Sequence, residues 1–263
     1  MLYDFLRDEH ELESFVETVL PDVTADECFL LMLCARRKYL TEDEKTRLVL
    51  GENAALRREV VSERGKLLHK VKELCVPSGL YKDRNGSPIP QHAFTIYVTP
   101  NPRSNKKAAV GTIAELAEAL AQGRSIRLES LVKTQLHRAA SRKIYLDLDV
   151  DPAGADQWQG IVAKARAILG QTPTHVIQTR TGAHVLVRTQ QLDKLVKKTF
   201  YRQLQELRGQ MEGLLEIRGD AMVPVPGTSQ GGATALMLRG STESGGIQDN
   251  GSDASATCDR ERE

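Results

Sequence analysis

The sequence predicts an α+β fold: a β-α-β-β-α-β unit, the split βαβ or ferredoxin-like arrangement, over residues 141–240, packed against an α-rich module over 1–140. Three observations predict it. Ile144-Tyr145-Leu146-Asp147-Leu148-Asp149-Val150-Asp151 alternates apolar and polar without a break, the period-2 signature of a strand with one buried face. Amphipathic-helix, hairpin, long-helix and strand patterns then follow in that order. Upstream, apolar residues recur mainly at helical spacing, with one strand-like run.

In chain order, Met1 to Leu20 places Leu2, Phe5, Leu6, Leu12, Phe15, Val16 and Val19 at helical spacing, and Pro21 ends the pattern. The apolar run Cys28–Cys34 delivers a basic cluster at Arg36-Arg37-Lys38. Thr41-Glu42-Asp43-Glu44 reads as a helix start with an acidic first turn. A helix rich in Arg, Glu and Lys is predicted from Glu52 to about Leu74, stopped by Val76-Pro77-Ser78-Gly79. His92 to Thr99 has the aromatic and β-branched content of a strand. A loop carrying Arg103, Lys106 and Lys107 follows, and Thr112 is the predicted cap of a helix from Ile113 to Gln122. No Gly/Ser-rich joint separates this module from the next.

The second unit opens with the strand at 143–151. A helix from about Asp156 to Leu169 is closed by Gly170. The β-rich runs 174–180 and 183–188 flank Thr181-Gly182 and predict a hairpin. A long helix from Asp193 to about Leu215 and a final strand from Ala233 to Arg239 complete the order. In that topology the first and third strands lie side by side at the centre, so Asp147 and Asp149 neighbour His184. Residues 241–263 are Gly/Ser/Asp-rich with little to bury and are predicted to be a disordered tail.

Composition excludes more than it assigns. With 36 basic and 35 acidic residues the net charge is +1, so any nucleic-acid-binding surface must be local. Cys28, Cys34, Cys75 and Cys258 form no CxxC pair and no Cys/His cluster, so neither a disulfide framework nor a zinc site is expected. The chain carries no apolar run long enough to span a membrane and no basic-then-apolar leader. A soluble cytoplasmic protein without membrane partners is the expectation.

The chemistry concentrates on the polar face of the 143–151 strand. Alternate residues there lie about 7 Å apart, so ionised Asp147, Asp149 and Asp151 repel one another unless a cation sits among them. A hard, oxygen-loving divalent metal suits that need. An edge strand with solvated carboxylates would show the same alternation. Asp220, in Ile217-Arg218-Gly219-Asp220, is the best third carboxylate, and three such groups can hold two divalent ions about 4 Å apart for in-line phosphoryl displacement. His184 would hydrogen-bond a triphosphate, with Arg180 and Arg188 adding charge. Arg36 and Lys38 are either a phosphate clamp or a solvated charge run. A base-stacking RNA-binding face would need aromatics, and Tyr145 is the single ring here.

Leu146-Asp147-Leu148-Asp149, then Thr179-Arg180-Thr181-Gly182-Ala183-His184-Val185, then Asp220 with Pro224-Val225-Pro226-Gly227-Thr228-Ser229-Gln230-Gly231-Gly232, resemble three ordered motifs of the archaeo-eukaryotic primase superfamily. Within it, the chain is most similar to prokaryotic primase-polymerases of plasmids, phages and CRISPR-associated systems. Ala35 to Tyr39 and Asn101-Pro102-Arg103-Ser104 are similar to upstream stretches of such proteins. The resemblance implies an RRM-like palm, Asp147, Asp149 and Asp220 as catalytic metal ligands for two Mg²⁺ or Mn²⁺ ions, and His184 as a nucleotide contact. Arg180, Thr181, Gly182 and Arg188 would join His184 around the nucleotide, and Arg36, Lys38, Arg103 and Lys107 would face phosphate or nucleic acid. Gly182 stands where the second motif commonly has Ser.

The implied activity is template-directed nucleotidyl transfer, joining an NTP or dNTP to a 3′-OH on single-stranded or primed DNA. Replication or CRISPR-associated proteins are the implied partners. Two rivals stay open: an inactive palm serving as a nucleic-acid-binding replication module, and a phosphatase of the hydrophobic-DxD type.

Overall fold

The computed structural model describes residues 1–151 and 157–238. It is a mixed α+β protein with two antiparallel sheets and, among the described residues, seven α-helices. None of those helices is long and apolar enough to cross a membrane.

The chain starts extended rather than helical. Leu2 bridges Pro77 and Leu6 bridges Thr228, and the helix predicted from Met1 is confined to α1, Glu9–Thr18, where Asp8 caps the Glu11 amide. Tyr3 and Phe5 instead stack in an aromatic cluster with Tyr81 and Phe94, ring centroids 5.1 to 6.1 Å apart. The apolar run becomes β1, Glu27–Arg36, paired on both edges and buried on both faces, which is why it does not alternate. Thr41 and Glu44 form a capping box on α2, Glu42–Arg47, as the sequence predicts.

The helix expected from Glu52 to Leu74 is not formed as such. Its first half is β2, Asn53–Val61, in register with β1 from Phe29↔Val61 to Arg36↔Asn53, and only Leu67–Glu73 coils, as α3. A central apolar strand leaves a full row of amides and carbonyls to be paired, and that requirement overrides the helical propensity of Arg, Glu and Ala. Next come β3, Phe94–Val98, and the two-residue β4, Arg103–Ser104. The following helix, α4, begins at Asn105 and runs to Ala121, two turns earlier than Thr112 suggests. Ser104 is its cap, whereas Thr112 is buried mid-helix, donating to the Ala108 carbonyl at 2.8 Å. Lys106 and Lys107 in the first turn oppose the helix dipole and gave that turn a loop-like pattern. Helix α5, Leu128–Arg138, packs back on α4.

In the second unit β5, Tyr145–Val150, precedes α6, Trp158–Leu169, which Gly170 closes at φ +60°. The predicted helix start at Asp156 lies outside the described residues. The hairpin forms as β6, Thr174–Gln178, and β7, Ala183–Arg188. Helix α7, Lys194–Gln210, ends five residues before Leu215, because Glu212 and Gly213 at positive φ turn the chain. Leu215–Arg218 is then β8, so the strand that closes the β-α-β-β-α-β order is β8 rather than 233–239.

The chain next returns to the first sheet as β9, Val223–Pro224, β10, Ser229–Gln230, and β11, Ala233–Thr234. The last described strand is β12, Leu236–Leu238, on the far edge of β6. Arg239 and the predicted tail lie outside the described residues. The first sheet runs β11-β10-β3-β1-β2, and the second β12-β6-β7-β5-β8.

Leu146, Leu148 and Val150 pack with Val185 and Val187 under α6 and α7 as predicted, whereas Ile144, just before β5, packs against the core of the first sheet. On the opposite face Tyr145, Ile177 and Leu186 join the core of the first sheet. Asn101 fastens the two units: its Oδ1 accepts from the Ile144 and Tyr145 amides at 2.9 and 2.8 Å, and its Nδ2 donates to the Tyr145 carbonyl at 3.0 Å.

Glu27 is a second fastening, accepting from Ser141 Oγ at 2.5 Å and from Arg142 Nε and Nη2 at 2.9 Å. Burial alone would raise its pKa, but Ser141, the Thr24 amide and Arg142 outweigh burial and hold it at about 2, against an ordinary 4.5. The stabilisation is complete above pH 4.5 and is lost as pH falls toward 2. Glu27→Gln should therefore lower the urea midpoint at neutral pH and flatten its fall over that acid window.

Candidate active site

A cleft of about 480 Å³ opens between the two sheets. Met32, Cys34, Tyr97 and Met222 of the first sheet side face Asp149, Asp151, His184, Arg218 and Asp220 across it. The period-2 geometry of β5 and β7 builds the polar wall. Asp149 is in register with His184 and Asp147 with Leu186, so the two carboxylates and the imidazole share one face.

Each carboxylate meets a cationic side chain. His184 Nδ1 lies 3.1 Å from Asp147 Oδ2, and its Nε2 lies 3.6 Å from Asp149 Oδ1. Arg218 Nη1 pairs with Asp149 Oδ2 at 2.9 Å, and Lys38 Nζ with Asp151 Oδ2 at 2.8 Å. Arg103 Nη1 donates to Asp220 Oδ2 at 2.5 Å. Burial raises the Asp149 pKa and the Asp147 and Asp151 charges add to it, against His184 and Arg218. Burial alone would lower His184, but Asp147 and Asp149 outweigh it and raise its pKa. For Asp151, hydrogen bonds from Lys38 and Thr181 outweigh burial and lower the pKa.

A basic rim surrounds Tyr39, whose ring centroid lies 6.0, 5.6 and 5.4 Å from the charged groups of Arg36, Lys38 and Arg180. Arg36 also donates to the Tyr97 hydroxyl. Arg180 is fixed by its Nη1, which donates to the Gly231 carbonyl at 2.7 Å, and by its amide, which donates to Gln230 Oε1 at 3.2 Å. Thr181 Oγ1 donates to Asp151 Oδ1 at 2.8 Å. Gly182 has a steric reason: a Cβ there would lie 1.9 Å from the Val150 carbonyl oxygen, so Ser does not fit where the hairpin turn crosses the end of β5.

Three predicted residues stand apart from this constellation. Arg188 spends its guanidinium on the Tyr145 hydroxyl at 3.0 Å and the Thr18 carbonyl at 2.9 Å, tying α1 to the second sheet. Lys107 Nζ donates to the Ala140 carbonyl at 2.9 Å. Arg103 is fully buried against Asp220, so it positions a carboxylate instead of facing phosphate. The glycine-bearing turn is no anion nest, because the amides of Gly227, Thr228, Ser229 and Gly231 donate to Ala235, Val225, Phe5 and Phe94 carbonyls. Sequence reasoning missed Arg218, since the helical reading of 210–215 hid a strand whose alternation aims Arg218 at Asp149. It missed His137 too, which reaches the cleft from α5.

Among the described residues no group of three His, Cys, Asp or Glu side chains is arranged to hold a metal ion. The donor chemistry nonetheless fits a hard divalent cation. The available ligands are carboxylate oxygens, Asp220 Oδ1 is buried without a hydrogen-bond partner, and like charges crowd Asp149.

Removing the cation from the Arg103–Asp220 pair would strand a largely buried carboxylate, at a cost of about 3–5 kcal/mol. Arg103→Met should lose stability on that scale in urea denaturation, with Asp220→Asn in the same background recovering part of it.

Compared with known proteins, the chain matches no protein-family model, no curated protein and no solved structure.

Proposed function

We propose that the cleft is the nucleotide site of a template-directed nucleotidyltransferase, a primase or DNA polymerase that joins an NTP or dNTP to a 3′-OH using Mg²⁺ or Mn²⁺. The observation that carries this reading is the register Asp149↔His184 at the centre of the strand order β8-β5-β7-β6, with Asp147 on the same face. That order and connectivity support reading the second sheet as a ferredoxin-like palm. A carboxylate pair beside an imidazole, with a third carboxylate and a basic rim at one cleft, suits metal-assisted phosphoryl transfer and lacks the aromatic platform of a base-stacking face.

In this reading Asp149 and Asp220 on the cleft wall, with Asp147 behind them against His184, would hold a divalent metal, which would neutralise charge on the attacking and leaving oxygens. Arg36, Lys38 and Arg180 bind phosphate oxygens at the rim, their charged groups already gathered around the Tyr39 ring. His184 stands opposite Asp149 in the cleft wall, where an imidazole N–H is the donor suited to a phosphate oxygen. Met32, Cys34 and Met222 give the cleft an apolar floor that excludes water from one side.

A second reading, an inactive palm that binds nucleic acid in a replication complex, is favoured by one observation: each carboxylate already faces a protein cation. A DxD phosphatase has less support. Asp147 is 2 % exposed and hydrogen-bonded to His184, not presented as a nucleophile, and its sheet is antiparallel.

Labelled-nucleotide incorporation on primed and single-stranded templates, with Mn²⁺ or Mg²⁺, tests the assignment. Wild type should extend the strand, and the double substitution Asp147→Ala with Asp149→Ala should abolish extension while circular dichroism shows the fold retained. A wild-type protein inert under both metals would overturn the assignment. Arg180→Ala should raise the KM for the nucleotide by about tenfold, the loss of one charge-assisted hydrogen bond.

A further inference from the structure

A second groove, of about 580 Å³, lies between β2 and α5. Arg57, Arg58 and Glu59 line it from the strand, and Arg127, Glu129 and Lys133 from the helix and its start. Glu59 is taken up by Arg57 at 2.6 Å and Glu129 by Lys133 at 2.7 Å. Among the described residues, Arg58 and Arg127 have no carboxylate within ion-pair reach, and Arg58 instead donates to Thr134 Oγ1 at 3.3 Å. Two guanidiniums with spare donors therefore face an open, polar channel, the equipment for phosphate diesters.

The groove and the cleft are bordered by the same two elements. Asn53 at the start of β2 and His137 near the end of α5 line the cleft itself. Arg58 stands opposite Met32 on β1, and Met32 also lines the cleft. Strand and helix thus act as two banks leading away from the candidate active site. From Asn53 to Glu59 the strand covers about 20 Å at its usual rise per residue, enough for a few nucleotides of extended backbone.

We propose that this groove holds the sugar-phosphate backbone of a single nucleic-acid strand and leads it to the cleft. Naming that strand the template rests on the nucleotidyltransferase reading, whereas its binding does not. Backbone contacts of this kind read charge rather than sequence, so affinity falls with salt.

The test is fluorescence anisotropy of a labelled oligothymidylate across a range of salt concentrations, without metal or nucleotide. The comparison is wild type against Arg58→Gln with Arg127→Gln. The double variant should bind about tenfold or more weakly, and its log–log salt slope should be shallower by about 1.4, at about 0.7 per phosphate contact on a single strand. Its thermal midpoint should match wild type, and duplex of the same length should compete poorly. Unchanged affinity and slope in the variant would refute the groove, as would displacement of the oligonucleotide by polyglutamate at equal concentration, which would point to an acidic peptide. Strand binding lost in the variant while wild type incorporates no nucleotide keeps the groove and removes the nucleotidyltransferase. Incorporation by wild type with binding unaltered in the variant does the reverse.

Discussion

The register of β5 between β7 and β8 is the constraint on which the rest of the structure depends. Side chains alternate strictly along a strand, so a slip of one residue would turn Asp147 and Asp149 beneath α6 and α7 and turn Leu146, Leu148 and Val150 toward the cleft. Asn101 guards against that slip from outside the sheet. Its side-chain amide does for the first residues of β5 what a neighbouring strand would do, and it comes from the loop after β3, in the other unit. The position of the acidic face is thereby referred to the first sheet, where the opposing wall of the cleft is built.

Bringing Asp147, Asp149 and Asp220 to the boundary of two hydrophobic cores carries a desolvation cost that the chain meets locally with a basic side chain near each, as Lys38 is near the more exposed Asp151. Those cations come from different elements: β7, β8, the β1 exit and β4. Sheet pairing, inter-sheet packing and site electrostatics are therefore not separable, since moving any one element uncovers a charge. This also accounts for a fully buried arginine so close to an otherwise apolar sheet.

Much of the second unit was legible in the sequence because its strands have one apolar face and its turns carry glycine. The alternation of 144–151 fixed which side each aspartate takes, and the hairpin around Thr181-Gly182 put His184 beside them. What escaped was set by partners far away in the chain. Asn53–Val61 has a helical composition and became a strand because β1 needed an edge partner. Leu215–Arg218 followed a long helical pattern, and with it went Arg218. Arg103 read as a surface cation in a polar loop, since nothing nearby in sequence announces the aspartate 117 positions later that receives it.

The extended N-terminal segment is threaded under the last strands: Leu6 bridges Thr228, the Ser229 amide donates to the Phe5 carbonyl, and the Arg7 and Asp8 amides donate to the Gly227 carbonyl. The contacts of Leu2 and Tyr3 with residues 76–89 only begin this seam, and it is completed once the strands after Met222 are in place. Closure of this long-range seam belongs late in folding. Without residues 227–235 the Phe5 carbonyl, Leu6 and the Arg7 and Asp8 amides would lose these partners, while Tyr3 and Phe5 would keep their aromatic contacts with Tyr81 and Phe94.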